Sequence, residues 1–226
     1  FSDELEPGQI SKLVLSGAPA FRVKFSGENP TPQQMYWKGA VLSENLGMVW
    51  KRTKSDRYSI GSLRANLDGL LEQEIVLEPG YGKWLFVLDT PHWVEFSDRR
   101  KQMSTYKSVE NIFSTKNEVG QRVLYKAFSS STPITKLSHE EKEFYMEGPP
   151  LEDPRIEALV QSIRVGTKTD GEVVENLLDF FSREFRYTLE PGSMKTKAVA
   201  EFVFDKKIGF CEHFAAAFAY IIRRAE

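Results

Sequence analysis

The period of the hydrophobic pattern changes once along this chain, near MEGPPLEDPR (Met146–Arg155), and that change limits the folds open to it. Before it, short runs alternate apolar and polar residues, the signature of half-buried strands. After it, apolar residues recur at helical spacing. Strands gathered in one part and helices in the other make an α+β chain. The pattern predicts a β-sandwich or barrel-like domain over residues 1–146, a linker over 147–154 rich in Pro, Gly and acidic residues, and a helical segment over 155–226.

Particular runs carry the β reading. FRVKF (Phe21–Phe25) alternates apolar and charged residues. QEIVL and KWLFVLD flank EPGYG, and Pro-Gly-Tyr-Gly punctuation between two β-rich runs predicts a hairpin. HWVEF, with Trp93 and Phe96, is a further strand in partial alternation. SVENIF and RVLYKAF predict two more, the second with Val123, Tyr125 and Ala127 on one face and Leu124 and Phe128 on the other. No repeat or low-complexity tract interrupts them.

The helices announce their own ends. SHEE (Ser138–Glu141) has capping-box spacing. Asp153 suits an N-cap and Pro154 the first helical position, with Ile156, Leu159, Val160 and Ile163 on one face and Gly166 as the stop. Thr169 or Asp170 caps the next helix, whose apolar face is Val173, Val174, Leu177, Leu178 and Phe181. FRYTL (Phe185–Leu189) is a short extended run, and KAVAEFVF a short helix with Val199, Phe202 and Val203 inward. The loop DKKIG then delivers the single cysteine, Cys211, to a last helix striped by Phe214, Ala217, Phe218, Ile221 and Ile222.

Composition excludes several roles. A net charge of −2 with 41% hydrophobic residues is an ordinary soluble balance, and it argues against nucleic acid as the main partner, which usually needs a basic stripe. No apolar run has the length of a membrane span. Phe1–Ile10 is acidic and has neither a basic start nor the apolar core of a signal peptide. One cysteine excludes an internal disulfide and a cysteine-based zinc site, and nothing calls for a cofactor or metal. With Phe rather than Met as its first residue, the chain is expected to be a piece of a longer protein.

Chemistry concentrates at Cys211. A thiol in the first turn of a helix meets the positive end of the macrodipole and unpaired N–H groups, and both favour thiolate. Gly209 lets the backbone approach closely. The bland alternative is a small buried hydrophobe, the common fate of a lone cysteine.

GFCEHFAAAFAYIIRRAE (Gly209–Glu226) resembles the nucleophile segment of the transglutaminase-like superfamily in its bacterial form. NLLDFFSREFRYTLEPG and AVAEFVFDKKIGFC match the helix, Phe-x-Tyr strand and pre-cysteine helix of that form, and QMYWKGAVLSENLGMVWKR resembles a stretch of its membrane-anchored, TgpA-like members. The resemblance implies a papain-like core using a Cys-His-Asp triad, with Cys211 as nucleophile and the histidine and aspartate on strands that follow it. The expectation is therefore a chain truncated shortly after the nucleophile and inactive by itself. The resemblance also implies a periplasmic location at the inner membrane, with the full-length protein integral to that membrane. The implied substrate is a protein or peptide amide, the cell envelope being one source.

The histidines of the chain do not supply an obvious base. On a helix, His213 stands about 200° around from Cys211. His139 reads as a solvated helix-start residue, and His92 belongs to the β part. Glu212 supports the helix start, with Arg223, Arg224 or a neighbour as its partner. Two function classes follow: a cysteine enzyme performing acyl transfer or hydrolysis at an amide, or a non-catalytic periplasmic binding or scaffold module. A helix as apolar as the last one must be covered within the fold or by a second copy, so self-association through it is also expected.

Overall fold

The computed structural model of the chain describes residues 3–7, 17–53, 58–60, 69–98, 103–108, 110–130, 137–192, 194 and 198–225. In chain order its strands are β1 (Glu4–Leu5), β2 (Phe21–Phe25), β3 (Trp37–Lys38), β4 (Glu44–Leu46), β5 (Val49–Lys51), β6 (Tyr58–Ile60), β7 (Leu71–Leu77) and β8 (Trp84–Leu85). They continue with β9 (Val87–Leu88), β10 (Pro91–Phe96), β11 (Thr105–Ser108), β12 (Phe113–Thr115), β13 (Val123–Ser129), β14 (Arg186–Tyr187) and β15 (Ile208–Gly209). The helices are α1 (His139–Met146), α2 (Pro154–Arg164), α3 (Asp170–Glu184), α4 (Ala198–Ala200), which runs into a π-helical stretch (Glu201–Lys206), and α5 (Cys211–Ile222). Strands β1–β13 precede α1, as the change of period predicts, and the short β14 and β15 lie among the helices.

These elements form two compact units, and the division is not one cut in the sequence. The first unit is built mainly from Gly17–Val41 and Lys54–Lys136, the second from Asp3–Ser16, Leu42–Thr53 and Leu137–Glu226.

In the first unit, two four-stranded antiparallel sheets, ordered β10-β13-β7-β2 and β6-β11-β12-β8, share one apolar core with the small β3-β9 pair. Ile75, Leu77, Val94, Val123, Tyr125 and Ala127 come from the first sheet, and Leu85, Phe86, Val87 and Phe113 meet them from the other side. Alternation chooses the faces: Val123, Tyr125 and Ala127 are buried, while Leu124 is exposed. The Tyr125 hydroxyl donates to the Phe86 carbonyl at 2.8 Å, satisfying a phenol at the centre of the core. Burial pushes its pKa well above the ordinary phenol value.

Two local expectations fail here. QEIVL and KWLFVLD do not form a hairpin: β7 pairs with β13 and β2, whereas β8 pairs with β12 and β9 with β3. Gly80 and Gly82, at φ +99° and +71°, carry the chain from one sheet to the next. The reason is non-local: β7 finds a seven-residue register with β13, far longer than a hairpin with the two-residue β8 could offer. SVENIF is not one strand either. Asn111, at φ +59°, turns the chain between β11 and β12, and its N–H donates to Ser108 O at 3.0 Å. Asparagine tolerates that left-handed backbone better than most residues.

In the second unit, α2, α3 and α5 and the stretch before Cys211 enclose a core that includes Ile156, Val160, Leu177, Phe181, Phe202 and Ile221. Met48 and Trp50 belong to the same core. Trp50 lies on β5 of the antiparallel sheet β1-β5-β4 and Met48 in the turn between β4 and β5, so two segments of the early sequence fold with the late helices. The helix-end signals hold. Ser138, Asp153 and Thr169 cap their helices through side-chain oxygens, and Gly166, at φ +79°, follows the end of α2. On α3 the buried line is Val173, Leu177 and Phe181, with Leu178 exposed. The apolar stripe of α5 is packed within this unit, Ala217 and Ile221 fully and Phe214, Phe218 and Ile222 in part.

Candidate active site

Cys211 is exposed and is the first residue of α5. This overturns the reading of a small buried hydrophobe. Three local features deliver it there. The π-helical stretch ends at Lys207, whose left-handed backbone (φ +52°) lets its N–H bond Phe202 O at 3.0 Å. The chain then extends as β15 and pairs in parallel with β14, Arg186 opposite Ile208 and Tyr187 opposite Gly209. Flanking bonds from Arg186 N to Lys207 O (2.9 Å) and from Thr188 N to Gly209 O (2.7 Å) clamp this pairing. Phe210 is the N-cap, in extended conformation and without a side-chain cap, and its carbonyl receives the His213 N–H at 2.9 Å.

Gly209 is required by packing. A Cβ there would stand 2.8 Å from both His213 Cβ and Phe202 Cε2 and 3.0 Å from His213 Cγ. The glycine therefore lets the strand press against the helix it introduces. Beneath the cysteine turn, Phe181, Phe185, Phe202 and Phe214 form an edge-to-face and tilted aromatic cluster with centroids 4.8–6.3 Å apart. That cluster fixes the first turn of α5 in place.

Among the described residues the Cys211 backbone N–H has no hydrogen-bond acceptor. An unpaired N–H at a helix start, beside an exposed thiol, is a donor suited to an oxyanion. Tyr187 completes the outer surface. It is 57% exposed, and its ring lies nearly parallel to that of Phe214 at 6.2 Å, three residues beyond Cys211 on the same helix face. The Phe-x-Tyr run marked that strand in the sequence, but its pairing with the cysteine loop is tertiary.

The other titratable groups do not converge on the thiol. His213 is 2% exposed, with its ring 4.6 Å from that of Phe210 and its Nδ1 buried without a hydrogen-bond partner. Burial, with a smaller contribution from the charge of Lys206, holds its pKa below the ordinary imidazole value. A buried imidazole and an exposed thiol two residues apart occupy opposite sides of the helix, as the helical angle requires. His139 pairs with Glu143 at 3.3 Å on the exposed surface of α1. His92 lies on β10 in the first unit. Among the described residues no hydrogen bond joins the Cys211 thiol to a histidine. Glu212 is 1% exposed, a deeper position than the sequence suggests. Arg223 and Arg224 are turned to backbone carbonyls, those of Glu147 and Ser43 and those of Tyr220 and Pro149. Among the described residues no cluster of three or more His, Cys, Asp or Glu could hold a metal.

Known proteins resemble the chain in sequence and in fold. Residues 1–136 match the family model of the TgpA N-terminal domain, and residues 157–226 match that of the transglutaminase-like superfamily. A protein-glutamine gamma-glutamyltransferase of Pseudomonas aeruginosa is 27% identical over 227 residues, covering 99% of this chain and 33% of that protein. The chain thus spans about one third of the length of that curated relative. Two crystal structures of the periplasmic domain of TgpA from Pseudomonas aeruginosa, one of them bound to ethylmercury, superpose with TM-scores of 0.80 and 0.79 at 27% identity. Each match covers 100% of this chain and 77% or 78% of the other. The two family models follow one another along the sequence as the sheets and the cysteine-bearing helices do in the fold, and the chain belongs to the TgpA family of transglutaminase-like proteins.

Proposed function

We propose that this chain is the periplasmic part of a transglutaminase-like cysteine enzyme, with Cys211 as the nucleophile that attacks an amide and carries the acyl group as a thioester. The observation that carries the reading is the exposed thiol on the first turn of α5, in the segment that the transglutaminase-like family model matches. The thiol sulfur adds to the amide carbonyl, and the Cys211 N–H helps to stabilise the oxyanion. The C–N bond breaks, and the leaving amine takes a proton from a general acid. An incoming amine then gives transfer, and water gives hydrolysis. The glutamyltransferase name of the curated relative supports transfer. The periplasmic domains among its structural neighbours support the location, and the length of the relative leaves room for the membrane anchor that the sequence resemblance implies.

Transfer of a proton at the right moment needs a base that no described residue offers to Cys211. The reading therefore includes a histidine and an aspartate outside residues 1–226 and predicts negligible turnover by these residues alone. A helix dipole, worth about 0.3–1 kcal/mol at an exposed site, helps thiolate formation by less than about tenfold. It cannot protonate a leaving amine. The test is single-turnover acylation of Cys211 by p-nitrophenyl acetate and by an N-blocked glutaminyl peptide. Residues 1–226 are compared with a chain extended through the downstream sequence, with a primary amine present or absent. Glutaminyl acylation only in the extended chain, lost in Cys211→Ala, is the expected result. Equal rates in both would place the base within these residues. No acylation in either would favour the non-catalytic module.

A further inference from the structure

His213 is a titratable group that the proposed chemistry leaves unused. It does not face the thiol, but it packs against both residues that lead to it. Its ring meets the Phe210 ring edge-on at 4.6 Å and the Phe202 ring at 5.8 Å. Its Cβ and Cγ stand where a side chain on residue 209 would have to go. Its backbone N–H donates to Phe210 O at 2.9 Å. The imidazole thus forms a floor under the Gly209–Phe210 step. That step sets where α5 begins and where the Cys211 N–H points.

This floor suits a neutral ring. The Nδ1 atom is buried without a hydrogen-bond partner. A neutral imidazole with its proton on Nε2 leaves only an unused acceptor there. A second proton would place at Nδ1 a donor with no acceptor, and a charge in an apolar setting, and both are costly. The charged neighbours do not relieve that cost. On the π-helical stretch Lys206 pairs with Glu201 at 3.4 Å and Asp205 with Arg155 at 3.3 Å. Lys207, at its end, pairs with Glu184 at 2.9 Å. Arg186 and Tyr187 stand exposed on β14, and Cys211 and the buried Glu212 precede the histidine on α5. Burial first, and the Lys206 charge second, oppose protonation of the ring. A protonated His213 has to turn toward solvent, and the Gly209–Phe210 step then loses its floor.

We propose that neutral His213 is a positioning residue for Cys211, and that its protonation releases the Gly209–Phe210 step and with it the first turn of α5. The thiol then loses the help that the helix start gives to its thiolate, and its reactivity drops on the acid side. The proposal deepens the reading of Cys211 as a nucleophile and rests on that reading for its place in catalysis. Its test does not, because alkylation of a thiol needs neither a histidine base nor acyl transfer.

The experiment is the rate of Cys211 alkylation by iodoacetamide in the whole chain, from about pH 8 to about pH 5, a range that spans the ordinary imidazole value. A thiol reacts through its thiolate, so on the acid side the logarithm of the rate falls by about one for each pH unit. In the native chain the rate should fall about two- to fivefold below that line, the worth of a charge at a helix start. The break should coincide with the titration of the His213 Cε1 proton in nuclear magnetic resonance spectra. His213→Leu and His213→Phe, which take no proton, should keep to the line. Lys206→Gln removes a cation that opposes protonation, so its break should move to higher pH. The native chain and Lys206→Gln suffice for the test where a change of the buried histidine unfolds the unit. A rate above the line overturns the proposal, since a charge formed without movement would favour the thiolate. So does a line without a break, a break that persists in both His213 variants, or a break that Lys206→Gln leaves in place.

Discussion

Gly209 shows how one residue sets the position of a candidate nucleophile. Any side chain there meets His213 and Phe202 at 2.8 Å, and neither contact is the far end of a flexible chain. Gly209→Ala should therefore destabilise the second unit by about 1–3 kcal/mol, the usual cost of overpacking, read from the urea midpoint. His213 adds a pH dependence. Its pKa is lowered in the folded protein, so the unfolded chain binds the proton more readily. Its contribution is intact above the unfolded value of about 6.5 and is lost as pH falls from there through the lower folded value. The midpoint of the native chain should fall between pH 7.5 and 5.5, and His213→Leu should remove part of that fall. An identical slope in the variant would show that His213 does not titrate in this way. The positions of Cys211 and Gly209 follow a motif written in consecutive residues. The burial of His213 and Glu212 does not, because it depends on the partners that cover the other side of α5.

At the scale of elements, helices were legible and strand partners were not. A helix closes its bonds within a few residues, so its caps and stripe lie in one stretch of sequence. Thr169→Ala removes the side-chain acceptor of Glu172 N and half of a capping box. Asp153→Ala removes the acceptor of Arg155 N, 2.9 Å away. Each should cost about 1 kcal/mol, measured by thermal or urea unfolding. Strands close their bonds with distant residues. EPGYG has the composition of a hairpin turn, yet β7 is held by β13, which begins more than forty residues after β7 ends. The local turn signal was outweighed by a longer ladder that no single window of the sequence displays.

At the scale of the molecule, the second unit borrows its sheet from the early sequence. Trp50 is in the same apolar core as Leu177 and Ile221, and its ring also takes the Arg223 guanidinium. Trp50→Ala should destabilise this unit by about 3–5 kcal/mol, as large aromatic truncations in cores do. Hydrogen exchange should then rise in α2, α3 and α5, more than a hundred residues along the chain. For the same reason, residues 137–226 produced alone should lack a fixed fold, visible as weak near-ultraviolet dichroism and fast amide exchange. A cooperative unfolding transition in that fragment would show that β1, β4 and β5 are dispensable.

The sequence by itself determined the order of the main sheets before the helices, the starts of α1, α2 and α3 and the stop of α2, the alternating faces of β2 and β13, and the cysteine at the start of a helix. Each of these rests on residues within one or two turns or one pleat of each other. Only the tertiary structure decided that β7 and β8 belong to different sheets, that residues 42–53 fold with the C-terminal helices, and that Tyr187 stands beside the cysteine turn. Those outcomes compare the free energies of distant pairings, and such pairings exist only once the chain has brought their partners together.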